Sequence, residues 1–366
     1  MLTCFACARP HDAAAPTKVC DACGMPLRVD LDLPPGAPEE RIRREDASLW
    51  RYADLLPVPR ARAVTLGEGW TPVVGVGDDV WIKDESRNPT GSFKARGMSL
   101  AVSAAVERGA QRLVAPSAGN AAGALAAYGA HAGVPVAVAM PADTPRAFVD
   151  ECHHYGAQVH LVDGTIADAG RFLAERRGPA DVDVSTMREP YRVEGKKTMG
   201  YELFEQFDGD LPDVVVYPTG GGTGLVGMWK AWNELERLGW IGSARPRLVV
   251  VQAAGCAPIV RAHDRGADGT EPWLQPATAA FGLRVPSPIG GFLCLRAIAG
   301  TAGTAVAVAE ERIHHAAAAL AAHSGLDICP EGGAAWAAVA QLRADDWIRP
   351  GERTVVFNTG TGLKYR

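Results

Sequence analysis

Short apolar runs alternate with longer stretches of helical spacing along most of this chain. Val80-Trp81-Ile82 is a strand-like run, and it passes through the polar turn Asn88-Pro89-Thr90-Gly91 into a helix-compatible segment from Ala95. Arg112 to Ala115, Val134 to Met140 and Gln158 to Val162 read as further strands. The helices between and after them are an Ala-rich one ending near Ala132, one over Pro145 to Tyr155 and one over Ile166 to Arg177. The second half repeats the rhythm with strands at Asp213 to Tyr217, Arg247 to Gln252 and Thr354 to Phe357. Strands separated by helices of ten to fifteen residues require crossover connections, so the pattern predicts α/β architecture with mostly parallel sheets. Ligands in such folds bind at the loops that leave strand C-termini, and these loops are expected to converge.

Composition narrows the class without changing that picture. At 366 residues the chain has room for two ordinary domains, and 47% hydrophobic with 22% charged residues is normal for a globular protein. There are 37 Lys and Arg against 42 Asp and Glu, for a net charge of -5, with no long basic run; a nucleic-acid partner is not expected. The least charged stretch, Leu113 to Ala142, is broken by Pro116, Asn120, His131 and Pro135 and is rich in Ala and Gly, so no membrane span is expected. The start, MLTCFACARPHD, lacks the apolar core of a signal peptide, and a cytoplasmic location is expected.

Four of the eight cysteines bunch at the start. Cys4-x2-Cys7, twelve residues, then Cys20-x2-Cys23 is the spacing of a four-thiolate zinc ribbon, with Gly24 suited to the second knuckle. No open coordination position is provided, so a structural zinc is expected. Cys152, Cys256, Cys294 and Cys329 are scattered and read as buried small hydrophobes. The pairs His153-His154 and His314-His315 have no ligand spacing and read as solvated helix faces.

Candidate chemistry starts at Lys94. It sits behind Phe93 at a strand-to-helix junction, where desolvation favours a neutral amine able to form a Schiff base. A second feature is the run Gly220-Gly221-Gly222-Thr223-Gly224 between a strand and a helix, whose bare backbone can turn several N–H groups onto one anion. It lacks the Gly-Lys-Ser/Thr ending of a nucleotide P-loop. A dinucleotide fingerprint is nominally met, but the next strand ends at Gln252 without an acid for a ribose, which leaves a phosphate monoester cradle or a merely tight turn. An imine-forming lysine plus a phosphate cup points to pyridoxal phosphate. That cofactor calls for three more partners. Ser117-Ala118-Gly119 offers backbone N–H groups for a carboxylate, Asn120 an amide for the cofactor hydroxyl, and Thr359 a neutral group for the ring nitrogen.

With these residues in order, the chain resembles the fold-type II pyridoxal-phosphate enzymes, the tryptophan synthase β family, and within them the threonine synthases. The resemblance rests on KDESRNPTGSFKARG, PSAGN, YRVEGKKTMGYE, PTGGGTG, VQAAGCAPI and NTGTGLK, and covers essentially the whole chain. It implies a two-domain enzyme of twisted, mostly parallel sheets plus the zinc-ribbon-like segment. The domains implied are 1–30 for the ribbon, 31–97 with 206–366 for a large cofactor-binding domain, and 98–205 for a small α/β domain. It implies that Lys94 carries the cofactor, that Asn120, Gly220 to Gly224 and Thr359 bind it, and that Ser117, Ala118, Gly119 and Ala121 hold the substrate carboxylate. Arg192 is implied as a ligand of a substrate phosphate, with Lys83 as a second candidate; salt bridges of Arg192 with Glu194 and of Lys83 with Glu85 compete with these roles. Thr186 and Arg188 are further candidate phosphate donors. The implied reaction converts O-phospho-L-homoserine and water to L-threonine and phosphate, in a homodimer acting on a small amino acid. A serine/threonine dehydratase, a β-replacement enzyme on a related phosphorylated amino acid, and a non-catalytic binding protein are the alternatives.

Overall fold

The computed structural model describes residues 1–13, 19–77 and 79–366. The chain parts into two compact units, Met1–Trp70 with Asn88–Lys196, and Thr71–Arg87 with Lys197–Arg366.

In chain order the first unit opens with β1 (Leu2–Cys4), β2 (Pro10–His11), β3 (Leu27–Val29) and the one-turn helix α1 (Pro38–Arg41). The three strands form an antiparallel sheet in the order β2-β1-β3. Two strands that follow, β4 (Val73–Gly77) and β5 (Val80–Asp84), belong to the second unit. The first unit resumes with α2 (Lys94–Glu107), β6 (Arg112–Pro116), α3 (Asn120–His131), β7 (Val136–Pro141), α4 (Arg146–His154), β8 (Gln158–Val162), α5 (Ile166–Arg176) and β9 (Asp181–Asp183). Its main sheet is wholly parallel, in the order β8-β7-β6-β9. The Ala-rich faces of α2 and α3 pack closely over it, in one apolar cluster with Leu113, Val136, Val138 and Met140.

The helix α6 (Tyr191–Gln206) begins in the first unit and ends in the second. The second unit continues with β10 (Val214–Pro218), α7 (Thr223–Arg237), β11 (Arg247–Ala253), α8 (Pro258–Asp264), α9 (Gly291–Gly300), β12 (Thr304–Val308), α10 (Glu310–Ser324), α11 (Pro330–Ala344) and β13 (Thr354–Asn358). Its six strands run in the order β12-β11-β10-β13-β5-β4, parallel except for the edge strand β4. Strands β10 and β13 are buried at every position, as continuous apolar runs in a sheet covered on both faces must be.

The units part elsewhere than expected. The boundary placed at 97/98 falls inside α2, a continuous helix, so residues 31–70 and 88–97 lie with the first unit, and residues 197–205 lie with the second. Nor does the ribbon segment stand apart. Leu2, Cys4, Cys20, Leu27 and Val29 share one apolar cluster with Trp50, with Leu100 and Ala104 of α2, and with Tyr191 at the head of α6. Among the described residues, no helix is long and apolar enough to cross a membrane.

Candidate active site

The residues predicted to serve the site are divided between the two units and are taken unit by unit. In the first, the turn before α2 uses left-handed backbone at Thr90 (φ 58°) and Gly91 (φ 63°), closed by the Gly91 N–H on the Asn88 carbonyl at 2.9 Å. The buried Asn88 side chain also accepts from the Gly69 N–H at 2.9 Å, which pins the glycine-rich Leu66–Pro72 turn beside it. The chain is thereby aimed so that Lys94 becomes the first residue of α2, half-buried, with Nζ 4.2 Å from the centre of the Phe93 ring. Two residues earlier, Ser92 is fully buried and its hydroxyl has no protein partner among the described residues. A buried hydroxyl left unpaired is costly, so a group from outside the chain is expected to meet it.

The loop after β6 is held by the Ser117 N–H on the Ala139 carbonyl at 3.0 Å, and Gly119 caps α3 in an extended conformation. Asn120 is the first helical residue. The first-turn N–H groups of a helix have no intrahelical acceptor, so Asn120 and Ala121 present donors at the positive end of α3. Ser117 to Asn120 are half-buried, and Ala118, Gly119 and Ala121 place no long side chain over these donors.

Arg192, near the start of α6, is 2% exposed. Its Nη1 donates to the Val184 carbonyl at 2.8 Å, and its backbone N–H donates to Glu189 Oε2 at 2.8 Å. Nε and Nη2, the edge able to grip two oxygens at once, are buried and have no acceptor among the described residues. Burial pulls the guanidinium down to about 10, against the opposing pull of Glu189 and Asp183, so it remains cationic at neutral pH. Burial also raises Glu189 to about 6, although the Tyr191 and Arg192 N–H groups and two arginines favour its ionised form. The anticipated pairing with Glu194 is not the one found, and the side chains of Thr186 and Arg188 are exposed while that of Arg192 is buried.

In the second unit, β10 ends in the glycine loop. Thr219 is anchored by its N–H to the Val251 carbonyl at 2.8 Å, and Gly222 caps α7 with left-handed backbone at φ 79°. A methyl group at Gly220 would sit under 3.0 Å from the Gly282 carbonyl oxygen, one at Gly222 under 3.0 Å from Cys294 Sγ, and one at Gly224 under 3.0 Å from the Tyr217 hydroxyl. These three positions therefore demand glycine. Gln252, where a dinucleotide fold would carry an acid, is consumed internally: its Oε1 accepts from Ile259 and Val260 N–H and its amide donates to the Thr219 carbonyl. Thr359 follows β13, 5% exposed, with Oγ1 3.7 Å from Cys329 Sγ.

Lys83 is corrected by the structure. It is fully buried, and its three hydrogens meet the Thr71 carbonyl at 2.7 Å, Glu202 at 2.6 Å and Gln206 at 2.8 Å. No donor remains for a substrate, and its partner is Glu202 rather than Glu85, which instead accepts from the Thr71 hydroxyl.

The four N-terminal cysteines form one cluster. Cys4 and Cys23 sulfurs lie 3.5 Å apart, Cys7 and Cys20 3.6 Å, and Cys7 and Cys23 3.7 Å. Tetrahedral thiolates around zinc, at bond lengths of about 2.3 Å, stand about 3.8 Å apart, so the cluster has the right size for that ion. Ala6 and Cys7 N–H groups point at Cys4 Sγ. Burial raises that thiol, but these amides together with the Cys23 and Cys7 side chains hold it at about 7. Cys152, Cys256, Cys294 and Cys329 are buried, as expected of small hydrophobes.

Sequence reasoning missed Ser92, because burial of one serine leaves no trace in a local pattern.

The family described as "Pyridoxal-phosphate dependent enzyme" matches residues 64–360. Threonine synthase of Methanosarcina acetivorans is 34% identical over 99% of this chain and 92% of its own length. That of Methanocaldococcus jannaschii is 31% identical over the same shares. Among solved structures, a fungal L-serine ammonia-lyase from Rhizomucor miehei superposes with a TM-score of 0.70 over 81% of this chain and 97% of that one, at 20% identity.

Proposed function

Because this chain belongs to the pyridoxal-phosphate-dependent enzymes and, within them, to the threonine synthases, we propose that it converts O-phospho-L-homoserine and water to L-threonine and phosphate. Its cofactor is pyridoxal phosphate. The residues present fit that group: the unpaired Ser92 hydroxyl calls for a partner, and the glycine-only positions 220, 222 and 224 leave bare backbone where a phosphate is to be cradled.

Lys94 is the residue proposed to bind the cofactor aldehyde covalently, with Gly220 to Gly224 and Thr223 at its phosphate, Asn120 at its hydroxyl and Thr359 at its ring nitrogen. When bound, the cofactor supplies an electron sink for carbanions next to the amino-bearing carbon. The donors of Ser117 to Ala121 and the positive end of α3 hold the substrate carboxylate. The Lys94 amine, once released by the incoming substrate, would take the proton from Cα and then one from Cβ as the Cγ–O bond to phosphate breaks; a proton delivered to Cγ makes the methyl group, water adds its oxygen at Cβ, and a proton returned to Cα completes L-threonine. Thr359 has no charge to give, so it orients the ring nitrogen without protonating it. Arg192 grips the substrate phosphate.

The observation that carries this reading is the Arg192 edge: a buried cation with two parallel donors unspent, in a member of this family, fits a dianionic oxygen group. The test is phosphate release from O-phospho-L-homoserine by the holoenzyme and by Arg192→Leu. Wild type is expected to turn over, and the variant to lose about 100-fold or more in kcat/KM, as loss of a charge-assisted bidentate contact entails. A variant with unchanged kcat/KM refutes the role of Arg192.

The size of the Cys4, Cys7, Cys20 and Cys23 cluster supports a structural zinc. A cytoplasmic location is the proposed one, since a four-thiolate metal site calls for a reducing compartment. The homodimer implied by the resemblance is the proposed assembly, to be checked by light scattering.

A further inference from the structure

The first turn of α11, Cys329-Pro330-Glu331-Gly332, is tied to both loops of the second unit that the proposed function gives to the cofactor. One arm is Glu331. It is 4% exposed, and its Oε1 accepts from the Gly282 N–H at 2.7 Å and from the Tyr365 hydroxyl at 2.9 Å. Gly282 in turn backs the glycine loop: a methyl at Gly220 would meet the Gly282 carbonyl oxygen under 3.0 Å away and Val285 Cγ2 at 3.0 Å. A methyl at Gly282 would itself lie 2.8 Å from Glu331 Oε1. Carboxylate, the Phe281–Leu283 turn and glycine loop are therefore stacked with no room to shift.

The other arm is Cys329. Its sulfur accepts from the Gly332 N–H at 3.4 Å and lies 3.7 Å from Thr359 Oγ1. Asn358 fixes where that sulfur sits. Its amide donates to Asp84 Oδ1 at 2.8 Å, which turns Asn358 Oδ1 towards Cys329, where it accepts the backbone N–H at 3.2 Å. A methyl at Gly332 would lie 2.7 Å from that same oxygen. Burial, and then the charge of Glu331, push the Cys329 thiol well above its ordinary range, so it keeps a hydrogen to give. A thiol that donates to Thr359 leaves the threonine hydrogen free for an acceptor, which is what a ring nitrogen without a proton requires.

We infer that Glu331 and Cys329 are positioning residues for the cofactor: Glu331, acting through Gly282, sets the glycine loop at its phosphate, and Cys329, acting through Thr359, sets the hydroxyl at its ring nitrogen. This rests on the cofactor roles proposed for those two loops. Both arms leave one helical turn, so the spacing between the two ends of the cofactor is fixed by a rigid element rather than by two independent loops.

The test compares the affinity of the full-length, cofactor-free protein for pyridoxal phosphate and for pyridoxal, which lacks the phosphate, read from the visible band of the lysine-bound form. Wild type is expected to prefer the phosphate ester. Glu331→Ala is expected to lose about tenfold in affinity for pyridoxal phosphate, as loss of a charged hydrogen bond entails, yet to bind pyridoxal within about twofold of wild type. Glu331→Gln, which keeps the acceptor for Gly282, is expected to stay within about threefold for both. Cys329→Ala is expected to weaken both compounds alike by about two- to fivefold, as one neutral hydrogen bond implies, with Cys329→Ser restoring both and no further loss when Cys329→Ala is added to Thr359→Val.

Glu331→Ala that weakens both compounds equally marks a structural role and overturns the inference for Glu331, as does Glu331→Gln impaired as much as Glu331→Ala. Losses from Cys329→Ala and Thr359→Val that add in full overturn it for Cys329. Should Glu331→Ala fail to fold, Glu331→Asp decides, because its shorter arm does not reach the Gly282 N–H: a loss confined to the phosphate ester supports the inference, and an unchanged preference contradicts it. Wild type that binds pyridoxal as tightly as pyridoxal phosphate overturns the proposed role of the glycine loop and the inference with it. Wild type that prefers the ester, with that preference intact in Glu331→Ala, overturns the inference alone.

Discussion

Replacing Gly222 with alanine tests the glycine loop at the point where its packing is best defined. The new methyl would sit under 3.0 Å from Cys294 Sγ, with the next heavy atom, the Gly290 carbonyl oxygen, at 3.9 Å. The sulfur or the loop must therefore move by about an ångström, an overpacking cost of roughly 1–3 kcal/mol. The left-handed φ of 79° adds about 1–2 kcal/mol for a residue with a side chain. The sum is about 2–5 kcal/mol, and the loop amides proposed to hold the cofactor phosphate are displaced with it. Cys294 is buried in apolar surroundings that push its thiol up to about 12, so it acts as a small hydrophobe; Cys294→Ala alone should cost about 1 kcal/mol. In the double variant the clash is gone and the backbone strain remains. Urea denaturation of the four proteins should then give a favourable coupling of about 1–3 kcal/mol. Pyridoxal phosphate titration should show affinity lost in Gly222→Ala and largely regained in the double variant. Strictly additive effects, or cofactor affinity indifferent to Gly222→Ala, refute the reasoning that this loop is shaped by contact with Cys294 and holds the phosphate.

Other consequences are open to measurement. Lys94→Ala should abolish the visible absorbance band of the lysine-bound cofactor and all turnover; a variant that keeps the band after desalting excludes Lys94 as the point of attachment. Glu234 is buried between Lys197 (2.9 Å) and Lys230 (2.8 Å) and also accepts from the Tyr201 hydroxyl. Burial would raise this acid, but the two lysines outweigh it and hold it at about 2, against an ordinary value of 4.5. A depressed acid gives stability present above pH 4.5 and lost as pH falls towards 2, here roughly 3 kcal/mol. Glu234→Gln should flatten that part of the stability profile, and an unchanged profile contradicts the assignment. Removing the zinc proposed for the ribbon with a chelator, or Cys20→Ser, should lower the melting temperature by several degrees, because Cys4 and Cys20 pack in one cluster with Leu100 of α2 and Tyr191 of α6. Melting that ignores chelator would show that the four sulfurs need no ion.

The strands and helices that carry Lys94, Asn120, the glycine loop and Thr359 were legible because each lies at a punctuated junction. An apolar run ends, Gly, Asn or Pro follows, and a helix begins. Helix α6 was not legible as an element, since Arg192, Glu194, Lys196, Lys197 and Glu202 are all buried and a helix with charge on every face shows no apolar stripe. β9, the three-residue Asp181–Asp183, was too short and polar to register. Long-range pairing was equally invisible. Lys83 belongs with Glu202, 119 positions away, while local spacing offered Glu85. Local order can name the loops of a site, but which cations are already satisfied depends on tertiary contacts.

Side-by-side turnover of O-phospho-L-homoserine, O-phospho-L-serine, L-serine and L-threonine by the wild-type holoenzyme tests the central claim most directly. The account predicts that phosphohomoserine alone is converted efficiently, with one phosphate released for each L-threonine formed. Oxoacid formation from threonine or serine, with no phosphate released from phosphohomoserine, would contradict it.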